Sequence, residues 1–284
     1  MRKQFKITTT ELAAQDQDIV MVFGDISVFL FNDFQKSFPD RFYNMGICEQ
    51  ALVSVAAGLS AQGFTPFVHS IAPFITERAL EQIKLDCSYN NFPVNIVSCG
   101  ATFDYAWDGA THHAWTDLAF LRVIPDTEIF QPGSAKEVDR LIRWHYKSPK
   151  TSYFRLSDHP HGLDIEIEKN KGVVIRDTGA PKTVVTAGPM LDYVMQAAEG
   201  LDINVLYFHT LKPFDHELIK KYATTRIKVV HDSFGLFESV CETTGIAVEK
   251  LGLPDHFCCS YGTIHDVRKM AGLGIPEIRA FLEK

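Results

Sequence analysis

Eight short β-branched runs punctuate the chain: IVMVFG (19–24), PFVHS (66–70), PVNIVS (93–98), TEIF (127–130), TSYFRL (151–156), TVVTAG (183–188), INVLYF (203–208) and IKVVHD (227–232). Apolar runs without polar alternation mark strands covered on both faces, and such strands joined through helices form parallel sheets. The stretches ALVSVAAGLSAQG, ITERALEQIKLDCS, SAKEVDRLIRWHYK, MLDYVMQAAEGL and FDHELIKKYA, lying between runs, carry apolar residues at helical spacing. The expected fold class is α/β, with mostly parallel sheets flanked by helices.

The alternation restarts once, across the polar stretch SDHPHGLDIEIEKNKG (157–172). For 284 residues this predicts two domains, 1–165 and 173–284. No internal repeat is visible, and neither G-x-G-x-x-G nor G-x-x-x-x-G-K-[ST] occurs, so dinucleotide and P-loop sites have no support. With 28 basic against 35 acidic residues, a net charge of -7 and no dense Lys/Arg block, the chain lacks the electrostatic footprint for nucleic acid or an anionic membrane. No window approaches the roughly 18 apolar residues of a membrane span. The six cysteines form no C-x-x-C, and reduced thiols in a cytoplasmic protein are expected.

Two segments carry candidate chemistry. Glu49 opens the helix ALVSVAAGLSAQG, where an acidic residue in the first turn is either simply stabilised by the dipole or pressed, desolvated, into an interface. The small residues Ala56, Ala57, Gly58 and Ala61 favour the second reading and make this helix a seam for self-association. The loop WDGATHHAWTD holds Asp108, His112 and His113 after the strand PVNIVS, at the carboxyl end of a parallel strand, where open α/β sheets bind ligands. Adjacent histidines point to different sides of an extended chain, so one of the two is structural and His112 is the site candidate. Taken alone, Phe74 reads as core, Arg78 as solvent-facing and Arg155 as a surface ion-pair partner.

Together, RFYNMGICEQALVSVAAGLSAQGFTPFVHSIAPFITERALEQI, DGATHHAWTDLAFLRVIPDTEIFQPGSAKEV and YFRLSD resemble the pyrimidine-binding domain of thiamine-diphosphate-dependent transketolases and the related deoxyxylulose-phosphate synthases. TVVTAGPMLDYVMQAA and TLKPFDHELIKKY resemble that family's C-terminal domain. The resemblance implies that Glu49 hydrogen-bonds the cofactor's aminopyrimidine nitrogen and favours the imino tautomer that takes the thiazolium proton. It implies that Phe74 stacks on the pyrimidine beside Arg78. It also implies that His112, with Asp108 in the same D-G-x-T-H loop, handles substrate oxygens, and that Arg155 lies near a substrate phosphate. The reaction implied is transfer of a two-carbon ketol unit from a ketose donor to an aldehyde acceptor, with sugars or sugar phosphates as substrates.

The chain departs from the family pattern in places. Gly100 stands where a histidine is usual, bulky Tyr105 and Trp107 occupy a normally glycine-rich loop, Asp117 replaces a further histidine, and Asp158 stands where an arginine is common. The G-D-G and downstream asparagine that grip the diphosphate and its Mg²⁺ are missing: Gly24-Asp25-Ile26 lacks the second glycine, and no asparagine follows Asp108 until Asn170. The resemblance therefore implies half an active site, completed by an N-terminal, diphosphate-binding transketolase subunit in an α2β2 assembly. No metal ligand is assigned to this chain. The alternatives are the β subunit of a 2-oxoacid dehydrogenase, a deoxyxylulose-phosphate-synthase-like enzyme, and a non-catalytic subunit that only binds a partner.

Overall fold

In the computed structural model, which describes residues 1–223, 226–259 and 261–284, the strands are β1 (Ile19–Phe23), β2 (Phe42–Asn44), β3 (Thr65–Ile71), β4 (Asn95–Cys99), β5 (Thr127–Phe130), β6 (Thr151–Arg155), β7 (Val173–Arg176), β8 (Lys182–Ala187), β9 (Asn204–Phe208), β10 (Thr210–Lys212), β11 (Arg226–Val230) and β12 (Val248–Leu251). They form a seven-stranded sheet in the order β10-β5-β6-β4-β3-β1-β2 and a five-stranded sheet in the order β12-β11-β8-β9-β7. Pairing is parallel except at β10 with β5 and at β7 with β9.

The first sheet is covered on both sides, as its unbroken apolar strands require. Val20, Val22, Val68 and Ile96 pack with Leu52, Val53 and Ala56 on one face. Ile19, Met21, Phe23, Phe67 and Val97 pack on the other with Phe5 and Leu12 of the helix Arg2–Gln15 and with Val138 and Leu141 of the helix Ala135–His145. Each of the larger side chains, Val, Leu, Ile, Met or Phe, contributes about 1.5–3 kcal/mol by leaving water. The helix Glu49–Ala61 buries Glu49, Leu52, Val53, Ala56 and Ala57, an i, i+3, i+4, i+7, i+8 stripe. Ala56 and Ala57 are therefore spent on close approach to this chain's own sheet, which corrects their expected part in a seam between copies. The face left exposed carries Ala51, Val55 and Gly58.

Several contacts tie the two sheets together. β10 leaves the second half of the chain to become the edge strand of the first sheet, and Lys212 Nζ donates to the Arg122 carbonyl at 3.1 Å and to Thr127 Oγ1 at 3.0 Å. Residues 157–172 contain no helix or strand. From this connector His161 reaches Glu137 Oε1 at 2.9 Å, while Tyr207 of β9 donates to Glu137 Oε2 at 2.6 Å. Burial alone would raise the Glu137 carboxyl, but these partners and the Gly133 N–H more than offset it and hold it low. Finally, Ser233 Oγ donates to the Trp115 carbonyl at 2.8 Å, fixing the second sheet's loops against the first sheet's long loop. Among the described residues no helix is long and apolar enough to cross a membrane, and all six cysteines are free.

Candidate active site

Parallel strands running the same way bring β2, β3 and β4 to a common carboxyl edge, and the expected residues gather there. Glu49 starts its helix just past β2 and turns its side chain inward, leaving the residue 2% exposed. Ser70, near the end of β3, donates to Glu49 Oε1 at 3.5 Å, and Arg78 Nη1 lies 3.4 Å from Oε2. Both contacts are long, so the carboxylate keeps most of its acceptor capacity.

Phe74 and Arg78 share a single wide π-helical turn, Phe74–Arg78, an irregularity often found at functional sites. The turn sets the Arg78 guanidinium over the Phe74 ring, Cζ 4.2 Å from its centroid. Arg78 thus spans an aromatic face and a buried carboxylate, not open solvent alone. The edge of the Phe74 ring meets the His112 ring at 5.0 Å with an interplanar angle of 69°.

His112 comes from the loop between β4 and the helix Asp117–Arg122. That loop is built rather than slack. Asp104, buried inside it, accepts from the Ala101 N–H at 3.0 Å, the Asp158 N–H at 2.8 Å and Ser157 Oγ at 2.8 Å. Gly109, at φ +73°, supplies the left-handed turn of D-G-A-T-H, a conformation that favours glycine. Thr111 Oγ1 engages His112 Nδ1 at 2.9 Å, which leaves Nε2 for a ligand. His113 is the structural member of the pair: it is buried edge-on to Phe103 and stacked on Trp115, and burial lowers its pKa. Asp108 lies exposed on the same turn, its carbonyl accepting from Thr111 Oγ1 at 3.4 Å.

The structure brings together Glu49, Phe74, Arg78 and His112. Arg155 it places elsewhere: the guanidinium is internal, paired with Asp117 at 2.7 Å and donating to Thr102 Oγ1 at 3.0 Å and the Ala114 carbonyl at 2.7 Å. It braces the loop through an internal ion pair, a correction to the surface pair expected of the residue taken alone. Ser70 was not singled out from sequence, where a serine closing an apolar strand carries no distinctive spacing. A cavity of about 540 Å³ lined by Arg122, Lys150, Lys212 and Phe214 lies at the amino ends of β5 and β6 and shares no residue with this cluster. The arrangement presents a buried carboxylate, an aromatic face and a partly exposed imidazole on one wall. Such a wall suits holding a flat heterocycle and exchanging protons beside it.

Residues 1–159 match the model of the transketolase pyrimidine binding domain. The chain is 35% identical to one of the subunits of the apulose-4-phosphate transketolase of Phocaeicola vulgatus, over 96% of this chain and 93% of that one. It is 31% identical to a putative transketolase C-terminal section of Methanocaldococcus jannaschii, over 78% and 73% of the respective chains. A solved structure of a split gene transketolase, an inactive β4 tetramer, superposes with a TM-score of 0.86 at 30% identity, covering 99% of this chain and 96% of that one. By both its sequence and its two-sheet architecture, this chain belongs to the transketolase family, its first 159 residues forming that family's pyrimidine-binding domain.

Proposed function

We propose that this chain is the C-terminal subunit of a split transketolase, using thiamine diphosphate to move a two-carbon ketol unit from a ketose to an aldehyde. The observation that carries the reading is the buried Glu49 carboxylate, sharing one wall with Phe74, Arg78 and His112. These residues fit the cofactor's aminopyrimidine: Glu49 has acceptor capacity to spare, and Phe74 offers a half-buried ring on which a flat heterocycle rests. When bound, thiamine diphosphate supplies an acidic carbon that adds to carbonyls and stores the resulting electron pair.

Each residue then has a task. Glu49 holds a proton on the ring nitrogen, Arg78 orients Glu49 and backs Phe74, and His112 Nε2 moves a proton at a substrate oxygen, with Asp108 at the rim of the same turn. The residues for the diphosphate and Mg²⁺ come from an N-terminal partner subunit, a reading supported by the missing G-D-G signature and by relatives named as a subunit and as a C-terminal section. That a relative's β4 tetramer is described as inactive fits the same requirement. Two copies of this chain associate through the exposed face of the helix Glu49–Ala61, as part of an α2β2 assembly. The substrate class is a sugar or sugar phosphate, the latter supported by the relative named for apulose-4-phosphate. We divide the chain into functional units at 1–165 and 173–284, and place the assembly in the cytoplasm on the strength of six unpaired thiols.

The test is reconstitution. Ketose donor and aldehyde acceptor are incubated with this chain, with its partner, and with both. Ketol transfer by the mixture alone is expected, and transfer by neither chain nor mixture would remove the reading.

A further inference from the structure

One side chain fills the wall between His112 and the carboxyl end of β4. Tyr105 is only 8% exposed, with its ring 6.2 Å from that of His112 at 80° and 5.8 Å from that of Trp107 at 63°. Its hydroxyl donates to Cys99 Sγ at 3.4 Å. The Cys99 thiol reaches on to the Ser70 carbonyl at 3.8 Å, and Ser70 is the residue whose hydroxyl faces Glu49. Under the ring the backbone is bare. Gly100, at φ +80°, has no Cβ, and one built there would lie 2.5 Å from Tyr105 Cε2.

The ring is thus anchored at its tip by a thiol, seated on a glycine and flanked by two aromatic edges. Burial pushes the Cys99 thiol up to about 11 and raises the Tyr105 phenol as well. Both groups therefore stay neutral, and the contact between them is a prop and not a proton relay. A side chain fixed in this way cannot swing aside without losing its anchor and its seat. It offers an approaching substrate a rigid surface, and a rigid apolar wall discriminates by size.

We propose that Tyr105 is a specificity-determining residue, its ring setting how bulky a carbon chain can be brought against His112. The proposal rests on the ketol-transfer reading above. It separates the ring, which excludes volume, from the hydroxyl, which only holds the ring in place.

The experiment compares kcat/KM for a series of aldehyde acceptors of increasing chain length, using this chain with its partner subunit. Tyr105→Ala is expected to shift the preference toward longer acceptors by about tenfold or more, the scale on which one or two methylenes are sorted in a pocket. Tyr105→Phe, which keeps the ring, is expected to retain the wild-type ranking. An unchanged ranking in a folded Tyr105→Ala variant overturns the proposal, and so does a Tyr105→Phe variant that shifts the ranking as far as Ala does. Should Tyr105→Ala fail to fold, Tyr105→Leu decides: an intermediate shift supports the wall, and wild-type ranking removes it. Wild-type protein that transfers no ketol unit to any acceptor sinks the ketol-transfer reading and this proposal with it. Transfer with an insensitive ranking sinks this proposal alone.

Discussion

Arg155 Nε donates to Asp117 Oδ2 at 2.7 Å in a place where neither side chain is more than 1% exposed. Burial by itself would lower the Arg155 pKa, but Asp117 outweighs it and holds the guanidinium charged. The same guanidinium grips Thr102 and Ala114, the two residues that close the base of the His112 loop through a β-bridge. Removing one member of such a pair leaves an uncompensated buried charge, at a cost of about 3–5 kcal/mol. Arg155→Ala is therefore expected to lower the urea midpoint sharply and to affect phosphorylated and unphosphorylated substrates alike. A variant of wild-type stability with a raised KM for phosphorylated substrates alone would return Arg155 to the ligand.

Glu49→Gln preserves side-chain shape and keeps an oxygen for Ser70, so the unfolding midpoint should move little. The amide cannot hold the proton that the carboxylate exchanges with the ring nitrogen, and turnover of the reconstituted enzyme should fall by about 10²–10⁴-fold, the usual reach of general acid–base catalysis. Proton exchange at the cofactor's C2 carbon should slow in parallel. Wild-type exchange in the variant would take Glu49 out of the mechanism.

His112→Ala should spare cofactor affinity and damage the substrate steps. The ring touches Phe74 only edge-on at 5.0 Å, so its loss leaves the aromatic platform and its Arg78 backing in place. Calorimetry of cofactor binding to the assembled enzyme, set against kcat/KM for the donor, separates the two effects. Equal losses in both would make His112 part of the cofactor cradle.

The four strands that sequence reading passed over are β2, β7, β10 and β12, the outer strands of the two sheets. Their physical environment explains the omission. Central β1, β4 and β9 are buried at every position and read as continuous apolar runs. β2, with Tyr43 and Asn44 exposed, and β12, partly exposed throughout, pair on one side only and need no such run. The site divides in the same way. Glu49 and His112 stand out in short motifs, whereas Phe74 and Arg78 are picked out only by the resemblance, because the π-helical turn that pairs them needs the folded backbone. The ion pair of Arg155 reads as a surface one because its partner Asp117 lies 38 residues away, and nothing local marks a buried pair. Likewise Tyr105 was visible as a bulky residue, but its seat on Gly100 needs the folded backbone.

Stability should fall steeply on acidification from pH 6.5. Burial lowers the pKa of His69, His209 and His231 to about 4 from an ordinary 6.5. Between those values the unfolded chain binds protons that the folded chain refuses, so stability present above 6.5 is lost progressively toward pH 4. Each histidine accounts for roughly 3 kcal/mol at the lower end. Asp104 works the other way: burial raises its pKa to about 6, so below that pH the folded chain holds a proton that the unfolded chain releases. Urea midpoints at several pH values should show net proton uptake on unfolding near pH 6, reduced toward pH 4.5 by Asp104. A flat profile would mean that these histidines are solvated.

Gly58 separates the stability of the chain from that of the assembly. It lies on the exposed side of the helix Glu49–Ala61, and a Cβ added there meets nothing within 4 Å in this chain. Glycine inside a helix is about 1 kcal/mol worse than a good helix former, so Gly58→Gln should raise the unfolding midpoint of the isolated chain if nothing else touches that face. If two copies pack helix against helix there, the new side chain instead occupies the space of the second backbone, and the variant should dissociate on sedimentation and lose activity even with its partner present. The neighbouring Ala51 and Val55, also exposed, give the same face apolar surface for such packing. A more stable variant with unchanged sedimentation and full reconstituted activity would move the self-association seam away from this helix.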